Sequence, residues 1–466
     1  MRKTIKRLGA VLLAMAMAVS VLCTGALAAD TYSITVKPAV SGHTYEAYQV
    51  FTGTVATGED KKKVLSDIQW GSGVNSDELV KELQSADNNP FDSDFSGKNT
   101  AADVAAVVAD YDSDKIKKFA TVVGKHLTTA TGTSGDFDST NQTYTISGLS
   151  AGYYLVKDKD KSVDADNHDA YTNYIMEVVQ DVEVKPKTSV PTVEKKIVEN
   201  NTDKTETTVG VNDTVTFKLT GTLPSNYDDY DSYKYVFHDT LSTGLTFGKI
   251  ESVKLYTDDT DTTGTEISAG NGDTNYKLDQ PGTEADNKCS FEVSFKDLKK
   301  LTNITKDSKI VVTYTATLNS GAVVSGNDNN VHLEYSNNPN GEGTGNTTDE
   351  KVTVYTLQLD VVKVDGADKT HKTPLTGAKF ILSTDSNLQN DLTDANITAN
   401  GDLTENHTLT DKAIAVKANT TSPNYIVDDN SAETKAYVME VCGTADDNKG
   451  KLNIQGLKPN QTYYLY

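Results

Sequence analysis

Strict alternation of apolar and polar residues is the feature that most constrains what this chain can fold into. Between residues 214 and 220 every second residue is apolar, and the same two-residue period recurs from Ile310 to Ala316. A period of two places the apolar side chains on one face of a β-strand. The pattern therefore predicts half-buried strands that pack as a β-sandwich.

The composition predicts thin hydrophobic cores in several domains. Hydrophobic residues make up 36% of the 466 positions, and counting glycine in place of tyrosine gives about 38%, below the 45–50% of typical globular chains. Tyrosine outnumbers phenylalanine 23 to 11, which suits exposed sheets with polar turns. The length corresponds to about three domains. We expect a mainly β protein of tandem immunoglobulin-like sandwiches.

Charge and missing motifs exclude several functional classes. The formal net charge of −22 disfavours binding to nucleic acid or to anionic lipid. The seven histidines are scattered singly, and the sequence contains no nucleophile elbow, P-loop or dinucleotide-binding fingerprint. We predict that the protein is not a turnover enzyme, needs no cofactor and has no metal site.

Residues 1–29 have the features of a secretory signal peptide. Basic residues lie between positions 2 and 7, an apolar stretch at 8–21 is too short to span a bilayer comfortably, and residues 26–28 form an A-x-A cleavage site. The remaining chain would keep only Cys289 and Cys442, which we assign to different domains. A disulfide framework is therefore not expected, and the thin cores require some other stabilising cross-link.

Breaks in the pattern predict three domains after the signal peptide. Residues 30–187 combine strands with two helical inserts, the first at residues 77–83 and the second starting at Thr100. A proline-containing extended linker begins near residue 185, and residues 188–351 are strand and turn throughout. A polar stretch then leads into a third strand-rich segment, residues 352–466.

A short motif occurs twice and indicates how the chain ends. The pattern Ile-x-Gly-Leu, followed by Tyr-Tyr-Leu, occurs at residues 146–155 and again at 454–465. The second copy would leave a hydrophobic strand without its return partner, an edge that natural domains avoid. We expect the third domain to be incomplete at its C-terminus.

Several segments together resemble the sortase-assembled major pilins of Gram-positive bacteria. Residues 184–187 (VKPK) resemble the pilin motif, and residues 237–245 (FHDTLSTGL) and 333–339 (LEYSNNP) resemble the isopeptide-forming middle domain of backbone fimbrial subunits. Residues 361–365 (VVKVD) together with 374–380 (PLTGAKF) resemble the start of a collagen-adhesin B-type domain. The resemblance implies a secreted protein attached to the cell wall as part of a surface pilus.

In that family, subunits are joined covalently, and the resemblance implies which lysine takes part. A class C sortase forms an acyl-enzyme with one subunit, and a lysine of the next subunit attacks it. Lys187 matches that lysine, and Lys185 is an alternative because the residues around the motif depart from the family pattern. The implied partners are identical subunits, the sortase, tip and base pilins, and host surface molecules.

The resemblance also implies an internal Lys–Asn isopeptide bond in the middle domain. It maps the nucleophile onto Lys195, the acid that promotes the reaction onto Asp239, and the acceptor onto Asn329. Lys196 and Asn337 remain open as alternatives. The amine must be neutral and the carboxyl protonated, and burial favours both. The reaction would be autocatalytic, would occur once and would release ammonia.

The resemblance also assigns a lysine in the third domain. Lys363 matches the bond-forming lysine of the B-type domain, and its partners are expected beyond Tyr466. The competing hypothesis is a wall-anchored adhesin that binds host matrix or glycan with the same folds and does not polymerise.

Overall fold

The computed structural model confirms a mainly β chain with three helices in its described part. The described residues are 31–57, 63–85, 90–91, 93–163, 168–172, 175–178, 181–186, 188–280, 289–393, 409, 411–419, 424–429, 435–443 and 448–466. The chain divides into two compact units. The first comprises residues up to 190, 224–233 and 335–346, and the second comprises 191–223, 234–334 and 347–466.

The secondary structure elements are numbered in chain order. The helices are α1 (Ser76–Leu83), α2 (Ala101–Val108) and α3 (Ser113–Gly124). The strands are β1 (Tyr32–Val36), β2 (Tyr45–Thr57), β3 (Lys63–Trp70), β4 (Gly132–Thr133), β5 (Tyr144–Leu149), β6 (Gly152–Asp158), β7 (Ile175–Val178), β8 (Val182–Val184), β9 (Val193–Glu199), β10 (Thr202–Lys204), β11 (Glu206–Thr208), β12 (Thr214–Thr222), β13 (Tyr235–Leu241), β14 (Leu245–Tyr256), β15 (Thr265–Glu266), β16 (Lys277–Asp279), β17 (Phe291–Phe295), β18 (Lys309–Leu318), β19 (Asn327–Ser336), β20 (Thr344–Asn346), β21 (Glu350–Tyr355), β22 (Leu357–Val362), β23 (Lys379–Ser383), β24 (Val416–Ala418), β25 (Asn424–Val427), β26 (Val438–Glu440), β27 (Lys451–Leu457) and β28 (Tyr464–Leu465).

The first unit contains two sheets and the three helices. One sheet has the strand order β5-β1-β8, and the other has the order β3-β2-β6-β7, with β4 paired to β2. A hydrophobic cluster joins β1 and β5 of one sheet to β2 and β6 of the other. A second cluster packs the helices against β2, β3 and β6. The helices therefore cover apolar surface that the sheets alone would leave exposed.

Two of the three helices were predicted, and one was not. Thr100 caps α2 in the predicted capping box, in which the side chains of Thr100 and Asp103 each accept a backbone N–H. The third helix, α3, begins after Asp112, whose carboxylate accepts the backbone N–H groups of Asp114 and Lys115. The sequence prediction of two inserts was therefore one helix short, although this N-cap was visible in the sequence.

The first unit also includes two segments that the sequence assigned to the middle domain. The backbone N–H of Tyr171 donates to the carbonyl of Asn337 at 2.7 Å, and the side chain of Asn340 donates to the carbonyl of Thr172 at 2.9 Å. Lys117 lies 3.7 Å from Asp229. Such contacts join segments that are distant in sequence, so no local pattern could have predicted them.

A buried histidine between two carboxylates lies in the first unit. His43 Nδ1 is 2.8 Å from Asp158, its Nε2 is 3.0 Å from Asp169, and its ring stacks on Tyr45. Burial by itself would lower the histidine pKa, but the hydrogen bonds and charges of the two aspartates outweigh it and raise the pKa from 6.5 to about 9. The imidazolium is therefore the form that this structure stabilises.

We predict that the first unit loses stability as the pH rises from about 6.5 to about 9. The raised pKa of His43 contributes stability that is fully present below pH 6.5 and is lost as the histidine deprotonates, at most about 3 kcal/mol. Trp70, the one tryptophan of the chain, packs in this unit against Phe51 and can report its unfolding. The free energy of unfolding in urea, followed by Trp70 fluorescence, should fall between pH 6 and pH 9.5 in the wild type. It should change much less in His43→Gln.

The second unit contains two pairs of sheets. Strands β9–β21 form one sheet in the order β10-β9-β12-β18-β14-β15 and another containing β11-β21-β19-β13-β17-β16. Strands β22–β28 form sheets in the orders β22-β27-β25-β24 and β26-β23-β28. In β12 and β18 buried residues alternate with more exposed ones, as the two-residue period predicted.

The repeated motif occupies equivalent strands in its two copies. In the first copy β5 pairs with β1 and β6 pairs with β2, and in the second copy β27 pairs with β22 and β28 pairs with β23. The motif glycines, Gly148 and Gly456, both have a positive φ, of 75° and 83°. Glycine adopts this conformation readily, which accounts for its place in both copies.

The segment after Tyr355 belongs to the same compact unit as the middle sheets. The backbone N–H of Val211 donates to the carbonyl of Gly456 at 3.0 Å, and Lys458 lies 2.6 Å from Asp213. These contacts hold the two parts of the unit together. The predicted domain boundaries, including the one at residue 352, stay predictions.

Two further expectations concern cysteines and membrane segments. Cys289 and Cys442 are both buried, and no disulfide joins them. Among the described residues, no helix has both the length and the apolar character required to cross a bilayer.

Candidate cross-linking site

Three polar residues occupy core positions on strands of the two facing middle sheets. Lys195 lies on β9 between the buried residues Val193 and Ile197. Asp239 and Asn329 lie on β13 and β19, which are neighbours in the opposite sheet. Because side chains alternate along a strand, the parity that buries the apolar neighbours also directs these polar groups into the core.

The structure brings the predicted triad into direct contact. Lys195 Nζ lies 2.6 Å from Asp239 Oδ2 and 2.5 Å from Asn329 Oδ1, and it also donates to the carbonyl of Asn330 at 3.2 Å. The side chains of Lys195 and Asp239 are 0% exposed, and Asn329 is fully buried as well. The amine and the carboxamide are therefore held side by side with no access to bulk water.

Tyr314 is a fourth member of the site that the sequence analysis did not assign. Its hydroxyl donates to the Asp239 carboxylate, at 2.9 and 3.0 Å from the two oxygens, and accepts from Asn329 Nδ2 at 2.7 Å. This bridge fixes which way the Asn329 amide points, with its oxygen towards Lys195. The alternating strand had predicted an inward-facing Tyr314, and a buried tyrosine hydroxyl normally needs a partner, so the signal was available.

Aromatic rings surround the site. Phe217 and Tyr314 stack with centroids 5.2 Å apart, and Lys195 Nζ lies 5.8 and 5.6 Å from these two centroids. Phe291 meets Tyr314 edge-on at 4.7 Å. The rings exclude water, so the charged forms of the amine and the carboxyl lose hydration that the apolar surroundings do not replace.

This desolvation shifts both pKa values towards the neutral forms. Burial lowers the pKa of Lys195 from 10.5 to about 8, with the Asp239 charge opposing the shift. Burial raises the pKa of Asp239, with Lys195 and the Tyr314 hydrogen bond opposing it. A neutral amine beside a protonated carboxyl is the pair that nucleophilic attack on an amide requires.

The alternative residues have other contacts. Lys196 is partly exposed, on the opposite face of β9, and its Nζ lies 3.0 Å from Glu194. Asn337 is buried in the first unit, where its backbone N–H donates to the carbonyl of Gly343. The structure thus places Lys195 and Asn329 together and pairs neither of the two alternatives with them.

The remaining predicted site residues lie near strand ends or outside the described residues. Lys187 and residues 1–29, the predicted signal peptide, are outside the described part of the chain. Lys185 is exposed directly after β8. Lys363 is exposed directly after β22, where its backbone N–H donates to the carbonyl of Gly450.

Fold and site together define a tandem β-sandwich protein with a buried Lys–Asp–Asn constellation between two sheets. Residues 211–339 match the family model of the Gram-positive pilin backbone subunit 2, Cna-B-like domain. This segment includes Asp239, Tyr314 and Asn329. The match agrees with the resemblance to Gram-positive backbone pilins found in the sequence.

Individual proteins show the same relationship. The trypsin-resistant surface T6 protein of Streptococcus pyogenes serotype M6 is 27% identical over 236 residues, which is 45% of this chain and 40% of that protein. The match thus spans about two fifths of the relative's length.

Solved structures of pilins have a similar fold. The full-length major pilin SpaD of Corynebacterium diphtheriae is 17% identical, with a TM-score of 0.45, and covers 92% of this chain and 81% of that one. The T6 backbone pilin of Streptococcus pyogenes is 18% identical, with a TM-score of 0.46, and covers 94% and 80%.

Proposed function

We propose that this chain is a structural subunit of a covalently polymerised pilus on the surface of a Gram-positive bacterium. The observation that carries the proposal is the buried contact of Lys195 Nζ with Asn329 Oδ1 and Asp239 Oδ2, at 2.5 and 2.6 Å. Asp239 and Asn329 lie in the segment that matches the pilin backbone domain, and Lys195 lies before its start. The matching family model, that of a pilin backbone subunit, supports the structural role, and the sequence relative named as a surface protein supports the surface location.

The site can form an isopeptide bond in one turnover. Neutral Lys195 Nζ attacks the Asn329 carboxamide carbon. The protonated Asp239 carboxyl gives its proton to the leaving nitrogen and takes one from the attacking nitrogen, so that it ends protonated as it began. The Nζ–Cγ bond replaces the Cγ–Nδ2 bond, and ammonia leaves. Tyr314, in contact with both Asp239 and Nδ2, holds the amide in the reactive orientation and lies between the acid and the leaving group.

The product would replace the disulfides that the chain lacks. Lys195 and Asn329 belong to different sheets, so the bond would tie the two layers of the sandwich together covalently. A backbone hydrogen bond contributes only about 1 kcal/mol net. Under a pulling force along a pilus, the covalent tie would carry load that sheet hydrogen bonds cannot.

Polymerisation is proposed to proceed through Lys187, with a class C sortase as the enzyme. The support is the sequence motif at residues 184–187 and its position after β8. Identical subunits, tip and base pilins, and host surface molecules are the proposed partners. Lys363 is proposed to form a second internal bond, as the residue that matches the bond-forming lysine of the B-type domain.

Replacing Lys187 by Ala should abolish the high-mass ladder that cell-wall extracts of the producing bacterium give on a denaturing gel. The expected loss is complete, because alanine has no amine that could attack the acyl-enzyme. Lys185→Ala is the matched control two residues away and should leave the ladder intact. A ladder unaffected by Lys187→Ala but lost in Lys185→Ala would move the linkage to Lys185.

If the wild type itself gives no ladder, the polymerisation proposal fails and the monomeric wall-anchored adhesin takes its place. A ladder that survives both replacements would place the acceptor elsewhere in the chain.

A further inference from the structure

A second cluster of chemically active side chains lies on the opposite face of strand β13. His238 precedes Asp239, so its side chain points away from the Lys195 site. It is directly opposite Glu292 of β17 in the antiparallel pairing, and Cys289 precedes that strand. Cys289 and His238 are buried, and the Glu292 side chain is only 13% exposed.

The three ligand atoms are close to one another. His238 Nδ1 lies 3.2 Å from Glu292 Oε1 and 3.7 Å from Cys289 Sγ, and Sγ lies 3.4 Å from Oε1. A tetrahedral zinc ion bound at ordinary lengths to one nitrogen, one oxygen and one sulfur separates those atoms by about 3.3–3.6 Å. The cluster therefore already has the spacing of three corners of a zinc tetrahedron.

The outer contacts of the cluster also fit a metal site. His238 Nε2, the ring nitrogen facing away from the cluster, lies 3.3 Å from Glu334 Oε2. Glu334 in turn lies 2.6 Å from Lys234. A metal-bound histidine usually donates its other N–H to such a carboxylate, which fixes the ring orientation and leaves the first nitrogen free for the metal.

We propose that His238 Nδ1, Cys289 Sγ and Glu292 Oε1 bind one zinc ion, with water as the fourth ligand. On binding, the thiol proton is released to solvent, and the thiolate and carboxylate together neutralise the two charges of the ion. The sulfur, nitrogen and oxygen donor set favours zinc over the hard cations magnesium and calcium. Bound zinc would tie β13 to the start of β17.

The sequence prediction of no metal site overlooked this arrangement. His238 and Cys289 are 51 residues apart, and neither has a second ligand at a recognised zinc spacing. Only the pairing of β13 with β17 places them together.

Metal binding by the purified full chain tests the proposal. Protein reduced with a phosphine and freed of metal by a chelator is titrated with Zn²⁺ in a calorimeter and, separately, with Co²⁺ in a spectrophotometer. We expect one ion per chain, and with Co²⁺ a thiolate-to-metal charge-transfer band. Cys289→Ser should remove the band and weaken zinc binding by more than about 100-fold, and Glu334→Gln should weaken it by about 10–100-fold.

Cys442→Ser is the matched control, since Cys442 is the other buried cysteine of the described residues, and it should keep the band and the affinity. Circular dichroism of each variant verifies its fold, and His238→Gln provides a second ligand replacement in case Cys289→Ser does not fold. A wild type that binds no stoichiometric zinc, or a Cys289→Ser protein that binds it as tightly as the wild type, overturns the site.

Discussion

The purified chain is expected to weigh about 17 Da less than its sequence mass, because the Lys195–Asn329 bond releases one ammonia. The reacting atoms are buried together beside an acid whose pKa is raised, so the reaction needs no added enzyme. Intact-mass spectrometry checks the deficit. Protease mapping should give one branched peptide that joins the segment around Lys195 to the segment around Asn329.

Two neighbouring lysines make a matched pair for this measurement. Lys195→Ala should restore the full sequence mass, whereas Lys196→Ala, on the exposed face of the same strand, should keep the deficit of about 17 Da. Asp239→Asn, which keeps the shape of the side chain but removes the acid, should also restore the full mass. A wild type at full mass, or a deficit that survives Lys195→Ala, would refute the assigned bond.

Tyr314→Phe separates the role of the bridging hydroxyl from that of the acid. The phenylalanine keeps the ring packing against Phe217 and Phe291 but no longer orients the Asn329 amide. We expect a slower loss of ammonia, visible as a mixture of the two masses in freshly purified protein. A deficit as complete as in the wild type would limit Tyr314 to packing.

The second large effect is on thermal stability. The cross-link would close a loop between positions 134 residues apart, which by the disulfide loop formula stabilises the fold by about 5 kcal/mol. For a domain of this size that corresponds to a melting temperature about 10–20 °C higher. Asn329→Ala should therefore lower the calorimetric transition of the second unit by about that amount.

Asn330→Ala is the control for this replacement. Asn330 is the next residue on β19, and its side chain is partly exposed on the other face of the strand. Its replacement should shift the transition by no more than a few degrees. Equal shifts in Asn329→Ala and Asn330→Ala would mean that no covalent tie contributes to stability.

Much of the site could be predicted because strand parity is a local property. The two-residue period separates Lys195 from Lys196, and the motif around Asp239 is contiguous in sequence. Lys195, Asp239 and Asn329 were all assigned through the resemblance, since an alternating strand does not show which asparagine meets which lysine. The third helix and Tyr314 were missed although their local signals were present.

The sequence by itself determined the strand character, the opposite orientations of Lys195 and Lys196 and the resemblance to backbone pilins, because each rests on short stretches of neighbouring residues. Only the tertiary structure decided which polar groups meet. Lys195 lies 44 residues from Asp239 and 134 from Asn329, and His238 lies 51 residues from Cys289. Contacts at such separations depend on how strands pair and sheets pack, which a two-residue period does not specify.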